Sequence, residues 1–90
     1  MPNARLTICN ERGLHARAAA KFVRLAATFD ADVKVSKDGT QVSGSSIMGL
    51  MMLAAGPGQE IEVSAEGAEG GAALAAIRAL VEDKFEEEDT

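Results

Sequence analysis

Arg5-Leu6-Thr7-Ile8-Cys9-Asn10-Glu11-Arg12-Gly13-Leu14-His15-Ala16-Arg17-Ala18-Ala19-Ala20-Lys21-Phe22 is where the chain changes its period. Arg5 to Cys9 alternates, with Leu6 and Ile8 on one face, as a half-buried strand does. Asn10 to Leu14, with Gly13 among them, reads as a loop. From Ala16 to Phe29 the repeat becomes helical. Arg17, Lys21, Arg24 and Thr28 share one face. Ala19, Ala20, Val23, Ala26 and Ala27 share another, flanked by Phe22 and Leu25. Such a helix, rich in small residues, can lie close on a sheet.

The rest of the chain supplies that sheet. Ala31 to Ser36 alternates, Asp38-Gly39 signals a hairpin turn, and Thr40 to Ser43 is the return strand. Ser45 or Ser46 can cap a short helix from Ile47 to Leu53. Gly56-Pro57-Gly58 interrupts the chain. Gln59 to Ala65 gives the clearest strand, with Ile61, Val63 and Ala65 inward and Glu60, Glu62 and Ser64 outward. A last helix spans about 72–84, with Ala73, Leu74, Ile77, Leu80 and Val81 as its apolar stripe. Helices with a single apolar stripe need a sheet to cover. Half-polar strands suit an antiparallel sheet with one wet face. The expected fold is α+β: an open-faced two-layer sandwich, β-α-β-β-α-β-α, with a four-stranded antiparallel sheet covered on one face by helices.

Ninety residues, 47% of them hydrophobic, fit one domain over 1–90. A chain of this size buries roughly 60–65% of its unfolded surface, so the core is thin. The acidic run at 86–90 follows a helix C-terminus, the wrong end for the helix dipole, and is expected to fray. Cys9 is the only cysteine, which leaves no internal disulfide and fits a reducing compartment. No apolar run is long enough to span a membrane. Met1-Pro2-Asn3-Ala4-Arg5 lacks a signal-peptide core, so the expected location is cytoplasmic. Residues 1–37 carry seven Lys/Arg against three Asp/Glu, whereas 38–90 carry two against eleven. The overall charge of −5 and three aromatics argue against nucleic-acid binding. The basic front could still attract an acidic protein.

His15, the only histidine, stands at the expected start of the first long helix. Free backbone N–H groups and the positive end of the helix dipole gather there, a setting that welcomes phosphate. A neutral imidazole could accept a phosphoryl group among those donors. Arg17, in the first turn, can fork onto phosphate oxygens. The amides of Ala16, Arg17 and Ala18 complete a cradle. No metal-ligand set and no second general base stand near it in sequence. The chemistry implied is taking up and handing on a phosphoryl group, with a partner bringing the rest of the catalytic apparatus. No cofactor is called for. Ile47, Met48, Met51 and Met52 are more large apolar groups than a short helix can bury, while Leu50 and Leu53 suit the core.

Gly13-Leu14-His15-Ala16-Arg17 resembles the active-site signature of the HPr family, the histidine-containing phosphocarriers of the bacterial phosphoenolpyruvate-dependent phosphotransferase system. Ser46-Ile47-Met48-Gly49-Leu50 resembles the family's second signature, around a regulatory serine, and spacing, length and element order agree over nearly the whole chain. The resemblance implies a stoichiometric carrier rather than an enzyme. His15 would be phosphorylated on Nδ1 by enzyme I and pass the group to an enzyme IIA domain, with Arg17 stabilising it. Arg17, Lys21, Arg24, Ile47, Met48 and Met51 would dock these partners. Ser46 would be the target of a serine kinase, and the carrier would be a monomer. A regulatory adaptor of the nitrogen-related branch is the alternative that the same resemblance leaves open. One departure stands out. Ala18 occupies the place of the family's usual proline, which restores an N–H near the phosphate and leaves the loop less rigid.

Overall fold

The structure, a computed structural model, describes residues 2–86. Its elements are β1 (Asn3–Thr7), α1 (Ala16–Ala26), β2 (Asp32–Lys37), β3 (Thr40–Ser43), α2 (Ile47–Met52), β4 (Glu60–Glu66) and α3 (Gly70–Glu82), followed by a turn over Lys84–Glu86. The strands form one sheet in the order β1-β4-β2-β3, with every neighbouring pair antiparallel. α1 packs against α2 and α3, α2 against β3, and α3 against β1, β2 and β4, and the buried face of α1 shares one core with the strands, making the α+β sandwich that the alternation predicts. Among the described residues no helix is long and apolar enough to cross a membrane.

Register explains why one face is dry. Ala4 and Leu6 of β1 stand opposite Val63 and Ile61 of β4, and Val63 and Ala65 stand opposite Val35 and Val33 of β2. Successive side chains on a strand point to opposite faces, so these residues form one continuous apolar floor. All of them are buried. The opposite face carries Arg5, Glu62, Ser36 and Gln41 in neighbouring register positions. Arg5 and Glu62 approach to 3.8 Å there, an exposed ion pair worth no more than about 1 kcal/mol.

Several expectations shift. The first strand runs Asn3–Thr7 rather than 5–9, because alternation extends back to Ala4. Ile8, beyond the strand, still donates to Gln59 and accepts from Gly58, but Cys9 has left the sheet and is exposed. On α1 the buried residues are Ala18, Ala19, Phe22 and Ala26, whereas Ala27 is exposed. Phe22, read from sequence as a flank, is fully buried because it has the most apolar surface to remove from water. The helix ends at Ala26 instead of Phe29, and Thr28 and Phe29 donate back to Leu25 and Ala26 in tightened turns. α3 begins at Gly70 and ends at Glu82. Glu86, the first residue of the acidic run, closes a turn by donating to Asp83. The remainder of that run, 87–90, lies outside the described residues.

Candidate functional site

The loop ahead of α1 is built by backbone bonding. The Gly13 N–H donates to the Asn10 carbonyl at 3.2 Å, and the buried Asn10 side-chain amide donates back to the Gly13 carbonyl at 2.8 Å. Gly13 has φ of +64°, and a Cβ there would lie 2.3 Å from the Ala55 carbonyl oxygen. Only glycine fits so close an approach in that conformation. The next residue, Leu14, is buried and donates its N–H to that same Ala55 oxygen at 2.9 Å.

His15 follows as the N-cap of α1, with extended backbone (φ −82°, ψ −179°) and its carbonyl accepting from Ala19 at 2.8 Å. The N–H groups of Ala16, Arg17 and Ala18 therefore fall in the first turn, where no carbonyl one turn back exists within the helix. No acidic residue occupies that turn to compete for them. The imidazole is half-buried, the Arg17 side chain is exposed, and the Ala18 methyl is buried against the core.

The second predicted feature arrives from α2. Ser46 is its N-cap, and the Ser46 hydroxyl accepts from the Gly49 N–H at 2.9 Å. Leu50 and Leu53 are buried, as expected for core residues. Ile47 is 39% exposed, Met48 72%, Met51 43% and Met52 77%, an apolar surface on a helix that contacts α1. The chain leaving α2 passes through Ala54, with φ of +52°, to reach Ala55. The trailing end of α2 is therefore bolted to the residue just before His15. Segments about forty residues apart in sequence (14 to 55) meet through the Leu14–Ala55 bond.

The basic stripe is not uniform. Arg17 and Arg24 are exposed, but the Lys21 ammonium donates to the Phe85 carbonyl at 3.0 Å and lies 3.4 Å from the Glu86 carboxylate. Helical spacing puts Lys21 on one face with the other two, and nothing local in the sequence reveals a C-terminal turn folding back onto it. The sequence places Asn10 only in a loop. Its burial could have been suspected from the Asn-x-x-Gly pattern, since Asn side chains often bond the backbone of their own turn.

These features match a known group of proteins. A family model described as "PTS HPr component phosphorylation site" matches residues 3–83. The chain belongs to the HPr family. It is 46% identical over 82 residues to a phosphocarrier protein NPr of Shewanella violacea, covering 91% of this chain and 90% of the relative. It is 47% identical over 81 residues to a phosphocarrier protein HPr of Cupriavidus necator, covering 90% and 91%. The crystal structure of an HPr from Thermoanaerobacter tengcongensis superposes with a TM-score of 0.93 at 42% identity, covering 99% of this chain and all of that one. HPr proteins are phosphocarriers of the phosphotransferase system, not enzymes, and their α+β fold is the one described above.

Proposed function

We propose that this HPr-family protein accepts a phosphoryl group on His15 from enzyme I, itself charged by phosphoenolpyruvate, and passes it to an enzyme IIA domain. The observation that carries this reading is His15 as the N-cap of α1, beneath the N–H groups of Ala16, Arg17 and Ala18. The ring nitrogen attacks phosphorus, an N–P bond forms, and the bond to the donor breaks. The three amides then donate to the phosphoryl oxygens, and the helix dipole adds about 0.3–1 kcal/mol. Arg17, exposed in the same turn, folds its guanidinium onto the transferred group. The second half of the reaction reverses these steps toward a better acceptor, so the carrier holds the group without trapping it.

Docking falls to the exposed Ile47, Met48 and Met51, with Arg17, Lys21 and Arg24 as a basic rim. Methionine suits a surface that must fit more than one protein. Lys21 joins that rim by releasing the Phe85 carbonyl. Ser46 is a regulatory phosphorylation site for a serine kinase. A phosphate there adds about two negative charges beside Ile47 and Met48 and repels an acidic partner. The protein acts as a monomeric single domain in the cytoplasm, without metal or cofactor.

Incubation with enzyme I and labelled phosphoenolpyruvate tests the reading. The expected product is an acid-labile, alkali-stable phosphate that His15→Ala abolishes. Full labelling of that variant overturns the assignment. The resemblance to NPr, as strong as that to HPr, supports a second reading: a regulatory adaptor of the nitrogen-related branch that acts through its phosphorylation state. Transfer assays against a sugar-system and a nitrogen-system enzyme IIA separate the two, and an adaptor transfers to neither.

A further inference from the structure

We infer that Asn10 is a positioning residue for phosphoryl transfer, acting on His15 through the Gly13–Leu14 peptide. This rests on the reading of His15 as the acceptor. Asn10 is the one buried polar side chain among the described residues, with no exposed surface. It lies outside every helix and strand, and its side-chain amide donates to the Gly13 carbonyl at 2.8 Å.

That carbonyl has a second donor, the His15 N–H at 3.0 Å, but a bond spanning two residues is bent and weak. On the other side of the same peptide, the Leu14 N–H is bonded to Ala55. A half-turn of the Gly13–Leu14 peptide would break all three bonds and reorient the backbone leading into His15. Glycine makes such a turn sterically cheap, because no Cβ resists it. The Asn10 amide is the side chain that resists it instead. It is buried, so water cannot replace the bond at Gly13 once the amide is removed. Losing it lets the His15 N-cap sample orientations in which the ring and the three amides no longer converge.

Asn10→Ala and Asn10→Asp test this. The aspartate keeps the shape and removes the donor. As substrates of enzyme I, both variants are expected to show kcat lowered about tenfold, a fraction of what a 1 Å misplacement can cost. KM should hold, since α1 and α2 keep their surfaces. A core variant beneath α3, Ile77→Val, serves as the control of matched thermal stability. An equal fall in its kcat, or a wild-type kcat in both Asn10 variants, overturns the inference. Amide hydrogen exchange gives a readout that needs no transfer. The Leu14 N–H should lose protection in the variants while Val63 in the sheet keeps it, and unchanged Leu14 protection overturns the proposal. Should the variants not fold, the wild-type Asn10 side-chain protons decide: slow exchange supports the bond, and exchange at the free-amide rate overturns it. If the wild type takes no label, the acceptor reading fails by itself, and the exchange data still judge the Asn10 restraint.

Discussion

Gly13 and Gly39 share left-handed backbone, with φ of +64° and +84°, yet they sit in opposite surroundings. A Cβ on Gly39 meets nothing within 4 Å, whereas one on Gly13 meets the Ala55 oxygen at 2.3 Å and the Gly56 Cα at 2.9 Å. Both Ala variants lose the glycine's freedom, at about 1 kcal/mol each. Only Gly13→Ala must also move backbone, because neither colliding atom can swing aside. We expect Gly39→Ala to lower the melting temperature by about 4–8 °C and Gly13→Ala by at least twice as much. Gly13→Ala should also slow phosphorylation of His15, since relieving the clash separates Leu14 from Ala55. Thermal melts of the two variants side by side, with a labelling assay, check both statements. The sequence marks Gly13 as a loop residue. It cannot show what Gly13 presses on, because Ala55 belongs to a segment far along the chain.

At the scale of elements, α2 is the instructive case. Six residues are far below the roughly 12–15 an isolated helix needs, so α2 depends on its cap and on burial of Leu50 and Leu53. Ser46 supplies the cap through the Gly49 N–H. Ser46→Ala should cost about 1 kcal/mol, and Ser46→Asp, an equally good cap, close to nothing. A thermal melt should therefore place the alanine variant about 4–8 °C below the wild type and the aspartate variant beside it. Equal melting of the alanine variant and the wild type would mean that the leucines alone hold the helix. Elements of this kind were legible because their signals are local: alternation at Ile61, Val63 and Ala65, helical spacing along α3, and a serine ahead of an apolar run. The rotation of α1 was less so. Its alanines all look equally buriable, and the partners that turn Phe22 inward come from other parts of the chain. Strand order was not legible at all. The pairing of β4 between β1 and β2 joins residues such as Leu6 and Ile61, and no short-range pattern encodes that.

For the whole molecule, the question is what closes the chain beneath α3. Lys84, Phe85 and Glu86 all have positive φ, 56°, 54° and 60°, and none is glycine. Left-handed backbone costs such residues roughly 1–2 kcal/mol each, so something must offset it. Two candidates stand out: the Lys21–Glu86 ion pair and the burial of Phe85, only 2% exposed in a core that also holds Phe22 and Val81. Glu86 is 64% exposed at its side chain, and a pair of that kind contributes no more than about 1 kcal/mol. Removing a buried phenylalanine costs about 3–5 kcal/mol. Burial therefore wins, and the ion pair is a passenger. Phe85→Ala should destabilise the protein by about 3 kcal/mol, the low end of that range, because the variant also sheds backbone strain. Glu86→Gln should cost less than about 1 kcal/mol. Denaturant melts at low and high salt separate the two, since only the ion-pair contribution fades as salt rises. The outcome bears on the basic stripe as well. The Lys21 ammonium is held by the Phe85 carbonyl, so whatever seats the Phe85 ring also decides how many cations α1 offers to an acidic partner.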